Sequence, residues 1–196
     1  NGVLDAAFKP GTGANGTLYA IVVQPDGRIV IGGDFTTFNE APNTRIARLN
    51  ANGSVEAGFA VDPVSQTRLS GADASVRSIA MQSDGKILLS GLFEKMHGVA
   101  QGRLARLNRD GTVDAAFNVG TNGLPRSGAN GPVNVVALQI DGKILVGGDF
   151  SRFNDVTRNR LTRLNTDGSI DPKINFGTGA NAAVSTIVVQ PDRKIV

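Results

Sequence analysis

"LYAIVVQPDGRIVIGGDFTTF", residues 18–38, holds two aliphatic, β-branched runs on either side of a Pro-Asp-Gly turn. Short apolar runs bounded by turn residues predict two strands joined by a tight hairpin. The phrase returns as "VRSIAMQSDGKILLSGLFEKM" (76–96) and "VNVVALQIDGKILVGGDFSRF" (133–153), and starts again as "VSTIVVQPDRKIV" (184–196). Each full copy leads into a second phrase: "RIARLNANGSVEAGF" (45–59), "RLARLNRDGTVDAAF" (103–117) and "RLTRLNTDGSIDPKI" (160–174). The chain opens on "NGVLDAAF" (1–8), the tail of that second phrase. Measured along Gln24, Gln82, Gln139 and Gln190, the spacings are 58, 57 and 51 residues. The differences fall in the linkers, the longer two being 60–75 and 118–132, where insertions cost little.

Each unit predicts four strands, two in each phrase, with Asp-Gly or Asn-Gly at the turns. Four short strands per unit of about 50 residues is the signature of a propeller blade. The apolar runs do not alternate cleanly, which fits sheets covered on both faces by their neighbours. The expected fold is all-β: a β-propeller of four-stranded antiparallel blades, about three full ones plus partial ones. Residues 1–8 would be the last strand of a preceding blade. Residues 9–59, 60–117 and 118–174 would be full blades, and 175–196 an incomplete one. A chain that starts on Asn and stops inside a phrase is expected to be cut from a longer array; closure by association of copies is the alternative.

The paired phrases "VVQPDGRIVIGGDFTTFN" and "RIARLNANGSVEAGF" resemble the delta-60 repeat family, the DUF5122-type β-propellers. The resemblance covers essentially the whole chain. It implies a propeller segment within a large exported bacterial protein, often attached to the cell surface. It carries no established catalytic residue to transfer.

Composition narrows the function. Formal charge is only +3, and the arginines are dispersed. Nucleic-acid binding would need a basic stripe with aromatics available for stacking, and neither is present. With no cysteine there is no disulfide, thiolate nucleophile or Cys-ligated zinc. No apolar run approaches the roughly 18 residues of a membrane span, and no signal peptide is visible. Neither nucleic acid nor membrane insertion is therefore expected.

Two glycine motifs imitate nucleotide chemistry. "GTGANG" (11–16) has the spacing G-x-G-x-x-G, but a strand-like run follows it where a dinucleotide loop needs a helix. It also recurs, as "GTGANA" (177–182) and more loosely as "SGANGP" (127–132). "GGDF" (32–35 and 147–150) lacks the glutamate of GGDEF cyclases and becomes "SGLF" in the second unit. Both belong to the repeat.

Asp34 and Asp149 are expected to accept hydrogen bonds inside their blades from Arg45 or Arg48 and from Arg160 or Arg163. Leu92 replaces the acid in unit two, so Arg103 and Arg106 must find carbonyls, water or another acid. Asn108, Asp110 and Asp114, with Asn165, Asp167 and Asp171, place oxygens at alternating positions around a glycine, faintly like calcium loops. They are also ordinary hairpin turns, and no cofactor is expected. His97, the only histidine, lies in the loop "EKMHGVAQG" and is expected to be solvated; alone it builds neither a zinc site nor a triad. The phenylalanines that recur at equivalent positions are expected in the core, each worth about 1.5–3 kcal/mol when buried.

Variation within the repeat points to a binding surface. Tyr19, Arg77, Asn134 and Ser185 share one repeat position with four different side chains. The expected function is a non-enzymatic scaffold or adhesion module at the bacterial cell surface. Its partners would be other blades of the same longer chain, export machinery, surface proteins or glycans. A glycan-recognising propeller is the alternative, ahead of a hydrolase on the same fold.

Overall fold

The computed structural model describes residues 3, 5–119, 127–174 and 176–196, and no helix occurs among them. The first unit gives β1 (Thr17–Val23), β2 (Ile29–Asp34), β3 (Thr37–Phe38), β4 (Ala41–Pro42) and β5 (Ile46–Leu49). The second gives β6 (Val76–Met81), β7 (Ile87–Gly91), β8 (Lys95–Met96), β9 (Val99–Ala100) and β10 (Leu104–Leu107). The third gives β11 (Val133–Leu138), β12 (Ile144–Gly148), β13 (Arg152–Phe153), β14 (Val156–Thr157) and β15 (Leu161–Leu164). Three antiparallel sheets result, ordered β1-β2-β5, β6-β7-β10 and β11-β12-β15, each with a two-stranded ribbon between its second and third strands. The β6 strand lies against β1 on one side and β11 on the other, so the sheets stand side by side as blades.

The expected fourth strand of each blade is reduced to one bridge: Leu49 with Val55, Leu107 with Val113, Leu164 with Ile170. The next residue explains why the ladder stops. In units two and three it is Asp114 or Asp171, whose Oδ1 accepts the N–H of Ala116 (3.0 Å) or Lys173 (2.9 Å) and bends the chain into a turn. Blades are therefore three-stranded with a bridged fourth segment. Residues 184–196 form a hairpin with one bridge, Val189 to Ile195. Of the opening segment 1–8, residues 1, 2 and 4 lie outside the described residues, as do 120–126 within the second long linker and residue 175.

The glycine pair of "GGDF" has two separate structural uses. The second glycine faces a break in register on the neighbouring strand: a Cβ on Gly33 would lie 2.1 Å from the Thr17 carbonyl oxygen, and on Gly148 2.1 Å from that of Pro132. The first glycine receives the next blade. A Cβ on Gly32 would lie 2.6 Å from Val76 Cγ1, and on Gly147 2.7 Å from Val184 Cγ1. Apolar clusters then run across each blade boundary. Val30, Ile46 and Phe59 of blade one pack with Val76, Ile87, Leu89 and Phe93 of blade two; Leu88 and Leu104 continue into Val133, Val136, Ile144 and Phe150 of blade three. Phe35, Phe59, Phe93 and Phe153 are fully enclosed, as their recurrence predicts, whereas Phe8, which shares the repeat position of Phe59, is 36% exposed.

The arginines of the R-x-x-R phrase reach forward to the next unit. Arg45, Arg103 and Arg160 donate through Nη1 to the carbonyls of Ala72, Ala129 and Ala180, at 3.0, 2.9 and 3.1 Å. Arg48 and Arg106 donate to the carbonyls of Arg109 and Thr166 in the following blade. Both also stack on a phenylalanine of their own unit, Phe59 at 4.4 Å and Phe117 at 4.5 Å.

The acids behind these arginines differ from those expected. Asp34 and Asp149 do meet Arg45 and Arg160, at 3.4 and 3.3 Å, but their side chains are 48% and 58% exposed. The enclosed partners are Glu56 for Arg48, Asp114 for Arg106 and Asp171 for Arg163, each joined by a second cation, Arg28, Lys86 or Lys143. Spacing explains the difference. Asp34 closes β2 at the solvent edge, whereas the acid after the bridged segment folds back over the third strand. In unit two Arg103 takes Glu94 at 2.7 Å in place of the missing aspartate.

Candidate functional site

Three of the four variable positions, Tyr19, Arg77 and Asn134, share one geometry. In the pairing of β1 with β2, register shifts between Leu18 and Ala20, leaving Tyr19 as the extra residue. The same shift isolates Arg77 between Val76 and Ser78, and Asn134 between Val133 and Val135. Each is the extra residue of a β-bulge, a device that re-aims a side chain out of the ladder. The side chains link from blade to blade. Arg77 Nη1 donates to Asn134 Oδ1 at 2.5 Å, and Asn134 Nδ2 donates to the Val184 carbonyl at 3.0 Å, one residue before Ser185. Tyr19 is 52% exposed at the head of this row.

At the other end of the same strands lie three equivalent clefts, which the sequence did not point to. One, of 590 Å³, lies between the Gln24–Arg28 turn and the Gln82–Gly85 turn, with Arg48 and Arg109 on its wall. The next, of 650 Å³, is lined by Met81, Gln82, Asp84, Arg106, Leu138 and Gln139 among others. The third, of 530 Å³, lies between Leu138–Asp141 and Val189–Arg193. Each combines an apolar floor from the last residues of two neighbouring first strands with a glutamine amide and an aspartate on the rim. The recurrent glutamine was the available signal, because a polar side chain kept in all four units needs a reason. Gln82 and Gln139 accept from Arg106 and Arg163 at 3.4 and 3.3 Å.

The calcium-like turns bind their own chain. Asp110 Oδ1 accepts the Thr112 amide (2.9 Å) and hydroxyl (2.7 Å), and Asp167 Oδ1 does the same with Ser169 (2.9 and 2.7 Å). Asn108 and Asn165 turn their amide nitrogens toward Thr112 and Ser169, at 3.0 and 2.9 Å. Asp114 and Asp171 accept from lysine and arginine. Among the described residues no three His, Cys, Asp or Glu side chains gather as a metal-binding group. The cations also fix the protonation of the buried acids. The Lys143 bond, with the Lys173 amide and Arg163, holds Asp171 down at about 2, and the Arg48 bond holds Glu56 below its ordinary value despite burial.

His97 is not solvated. Its Nδ1 accepts the Gly71 amide at 3.0 Å and its Nε2 meets the Gly111 carbonyl at 3.0 Å, so the neutral ring with hydrogen on Nε2 satisfies both. Burial pushes its pKa down, against the pull of the Gly111 carbonyl. Asn39 and Asn154 stand at the same place in the other units and accept from Gly13 and Gly128 at 2.8 and 3.0 Å. All three residues have left-handed backbones, with φ of 49°, 52° and 48°.

A family model described as a domain of unknown function, DUF5122 beta-propeller, matches residues 24–59, 82–117 and 139–173. The chain belongs to the DUF5122 β-propeller family. The three matched stretches each start at the recurrent glutamine; the first two end on the phenylalanine under the arginine, and the third ends beside Ile174, which holds that repeat position. The sequence matches no curated protein. Among solved structures, a catalytically inactive histidine-to-alanine variant of virginiamycin B lyase from Staphylococcus aureus, with quinupristin, is similar: TM-score 0.55, 16% identity, covering 94% of this chain and 50% of that one. A streptogramin B lyase structure gives a TM-score of 0.53 at 16% identity, covering 94% and 49%. The DUF5122 chain spans about half the length of these lyases, and at that identity the likeness shows the fold alone.

Proposed function

We propose that this DUF5122 segment is a non-enzymatic scaffold and interaction module, part of a large exported bacterial protein at the cell surface. One observation carries this: the histidine and the best-covered acids are spent on holding the blades together. The single histidine bridges two backbone groups. The enclosed acids Glu56, Asp114 and Asp171 are each held by two cations. What varies is Tyr19, Arg77 and Asn134 at the bulges and Ser185 at the equivalent repeat position, a pattern suited to a partner that differs between surfaces. The structural likeness to lyases is tested directly by incubating the purified chain with quinupristin, which should be recovered unchanged; turnover would overturn the non-enzymatic reading. The surface role is tested by protease treatment of intact native cells. Peptides from residues 60–75 should be released; release only after lysis would contradict it.

Glycan recognition is the second reading, supported by the three clefts. Each sets glutamine amides and aspartate oxygens around an apolar floor, the mixture that hydroxyl groups and a sugar's C–H face require. Titration with neutral oligosaccharides should then shift the amide signals of Gln82 and Gln139, and unmoved signals at millimolar sugar would set this reading aside.

A further inference from the structure

Two of the three clefts lie between neighbouring three-stranded blades, are built alike and are charged differently. The cleft between blades one and two is lined by Arg28, Arg48 and Arg109 with Asp26. The cleft between blades two and three is lined by Arg106 with Asp84 and Asp167. In the first, Asp26 holds Arg28, and Glu56 holds both Arg28 and Arg48. Arg109 forms no ion pair among the described residues. Its Nε donates to the Asp84 carbonyl at 2.6 Å. Its stem lies over the adjacent turn, where a Cβ on Gly85 would come within 3.3 Å of Cγ and Cδ. One bond thus fixes the guanidinium and leaves both terminal nitrogens without a partner among the described residues. Such a fork matches the two oxygens of a carboxylate.

The arginine is particular to this cleft. Its repeat position holds Ala51 in unit one and Thr166 in unit three. Thr166 lies over Gly142 as Arg109 lies over Gly85, with Cγ2 3.0 Å from an added Cβ, and it lines the second cleft without a charge. The glutamines differ as well. Gln82 and Gln139 are held through Oε1 by Arg106 and Arg163. Gln24 is 9% exposed and its Oε1 has no partner, while its amide nitrogen rests on the Met81 sulfur at 3.8 Å. A buried acceptor without a donor is costly, and turning this loosely held amide toward the cleft lets a ligand hydroxyl supply one. We propose that the cleft between blades one and two takes an acidic sugar, a uronate whose carboxylate lies on the Arg109 fork and whose hydroxyl donates to Gln24 Oε1. This rests on the glycan reading of the clefts and names the class of glycan. The second cleft, with Asp84 and Asp167 on its rim, disfavours the same anion by like charge.

Titration with a short galacturonate oligosaccharide, beside the same oligosaccharide with its carboxylates methyl-esterified, tests this. The acid should bind at least about tenfold more tightly than the ester. It should shift the side-chain amide signals of Gln24 and the Nε–H signal of Arg109, and added salt should weaken the acid alone. Arg109→Thr should erase the preference and leave the melting temperature unchanged, because blade three already carries threonine at this position. Thr166→Arg should create the preference in the second cleft, read at the Gln139 amide. Equal affinity for acid and ester overturns the inference and leaves the glycan reading standing, as does an acid preference that survives Arg109→Thr. Binding of neither form at millimolar sugar overturns both. Tighter binding of an acidic peptide than of the galacturonate overturns the assignment to a sugar.

Discussion

Arg106 donates its Nη1–H to the carbonyl of Thr166 at 2.6 Å, from the third strand of one blade to a turn of the next. The same guanidinium holds Asp114 at 2.7 Å and lies over Phe117 at 4.5 Å. Arg48 repeats the arrangement one blade earlier with Glu56, Phe59 and the Arg109 carbonyl. One side chain thus ties the acid after the bridged segment, the aromatic core and the blade boundary together. This makes the second phrase of the repeat a junction device, and it separates acids that matter for stability from acids that do not.

Asp149→Asn should leave the melting temperature nearly unchanged. Its pair with Arg160 is long and exposed on the aspartate side, and such pairs are worth roughly 0–1 kcal/mol. Asp171→Asn removes a carboxylate that is 1% exposed and held by Lys143 and Arg163. Breaking an enclosed pair costs about 3–5 kcal/mol, and urea unfolding of the two variants should show the contrast.

Acid should unfold the chain through the same groups. The pKa of Asp171 is lowered from 3.8 to about 2 by its cations, so its contribution is complete above about pH 4 and is lost as pH falls through about 2. Glu56 is lowered from 4.5 and acts in the same direction. Stability measured between pH 5 and pH 2 (a range of about 3 units set by these shifts) should fall steeply in the parent and less steeply in Asp171→Asn.

His97 gives a second, milder pH dependence. Its pKa is lowered from 6.5 by burial, so the folded state favours the neutral ring; stability is complete above about 6.5 and declines as pH falls below it. Protonation also sets an N–H against the Gly71 amide. His97→Asn should fold, because asparagine makes the matching bond at Asn39 and Asn154, and should lose this decline. A decline that persists in His97→Asn would show that another group titrates there.

Much of the fold was legible in the sequence because the period, the turns and the apolar runs all report on local structure. The fourth strand was misjudged because "TVDAAF" carries a strand's pattern, while its acid, Asp114, is drawn into a turn and an ion pair that only the folded blade supplies. The partners of Arg48 and Arg163 were missed for the same reason. Glu56, eight residues beyond Arg48, is the nearer acid both in sequence and in space. The bulges were half legible: variation at Tyr19, Arg77 and Asn134 marked the position, and the glycine opposite showed what allows it. The clefts lie between units, so no single unit displays them.

The glycine opposite the bulge should tolerate no side chain. Gly148→Ala would place a Cβ 2.1 Å from the Pro132 oxygen, and the strain should cost at least about 1–3 kcal/mol. Gly58→Ala, with nothing within 4 Å, is the matched control and should be near neutral. Thermal melts of the two proteins decide it.

The forward-reaching arginines hold neighbouring blades together, and Arg106→Met tests this in one experiment. Methionine keeps much of the side-chain volume but removes the bonds to Asp114 and Thr166. Urea unfolding should show a loss of about 3 kcal/mol with an unchanged m-value, because the blades still unfold as one unit. A midpoint equal to that of the parent would contradict the claim that these arginines hold neighbouring blades together.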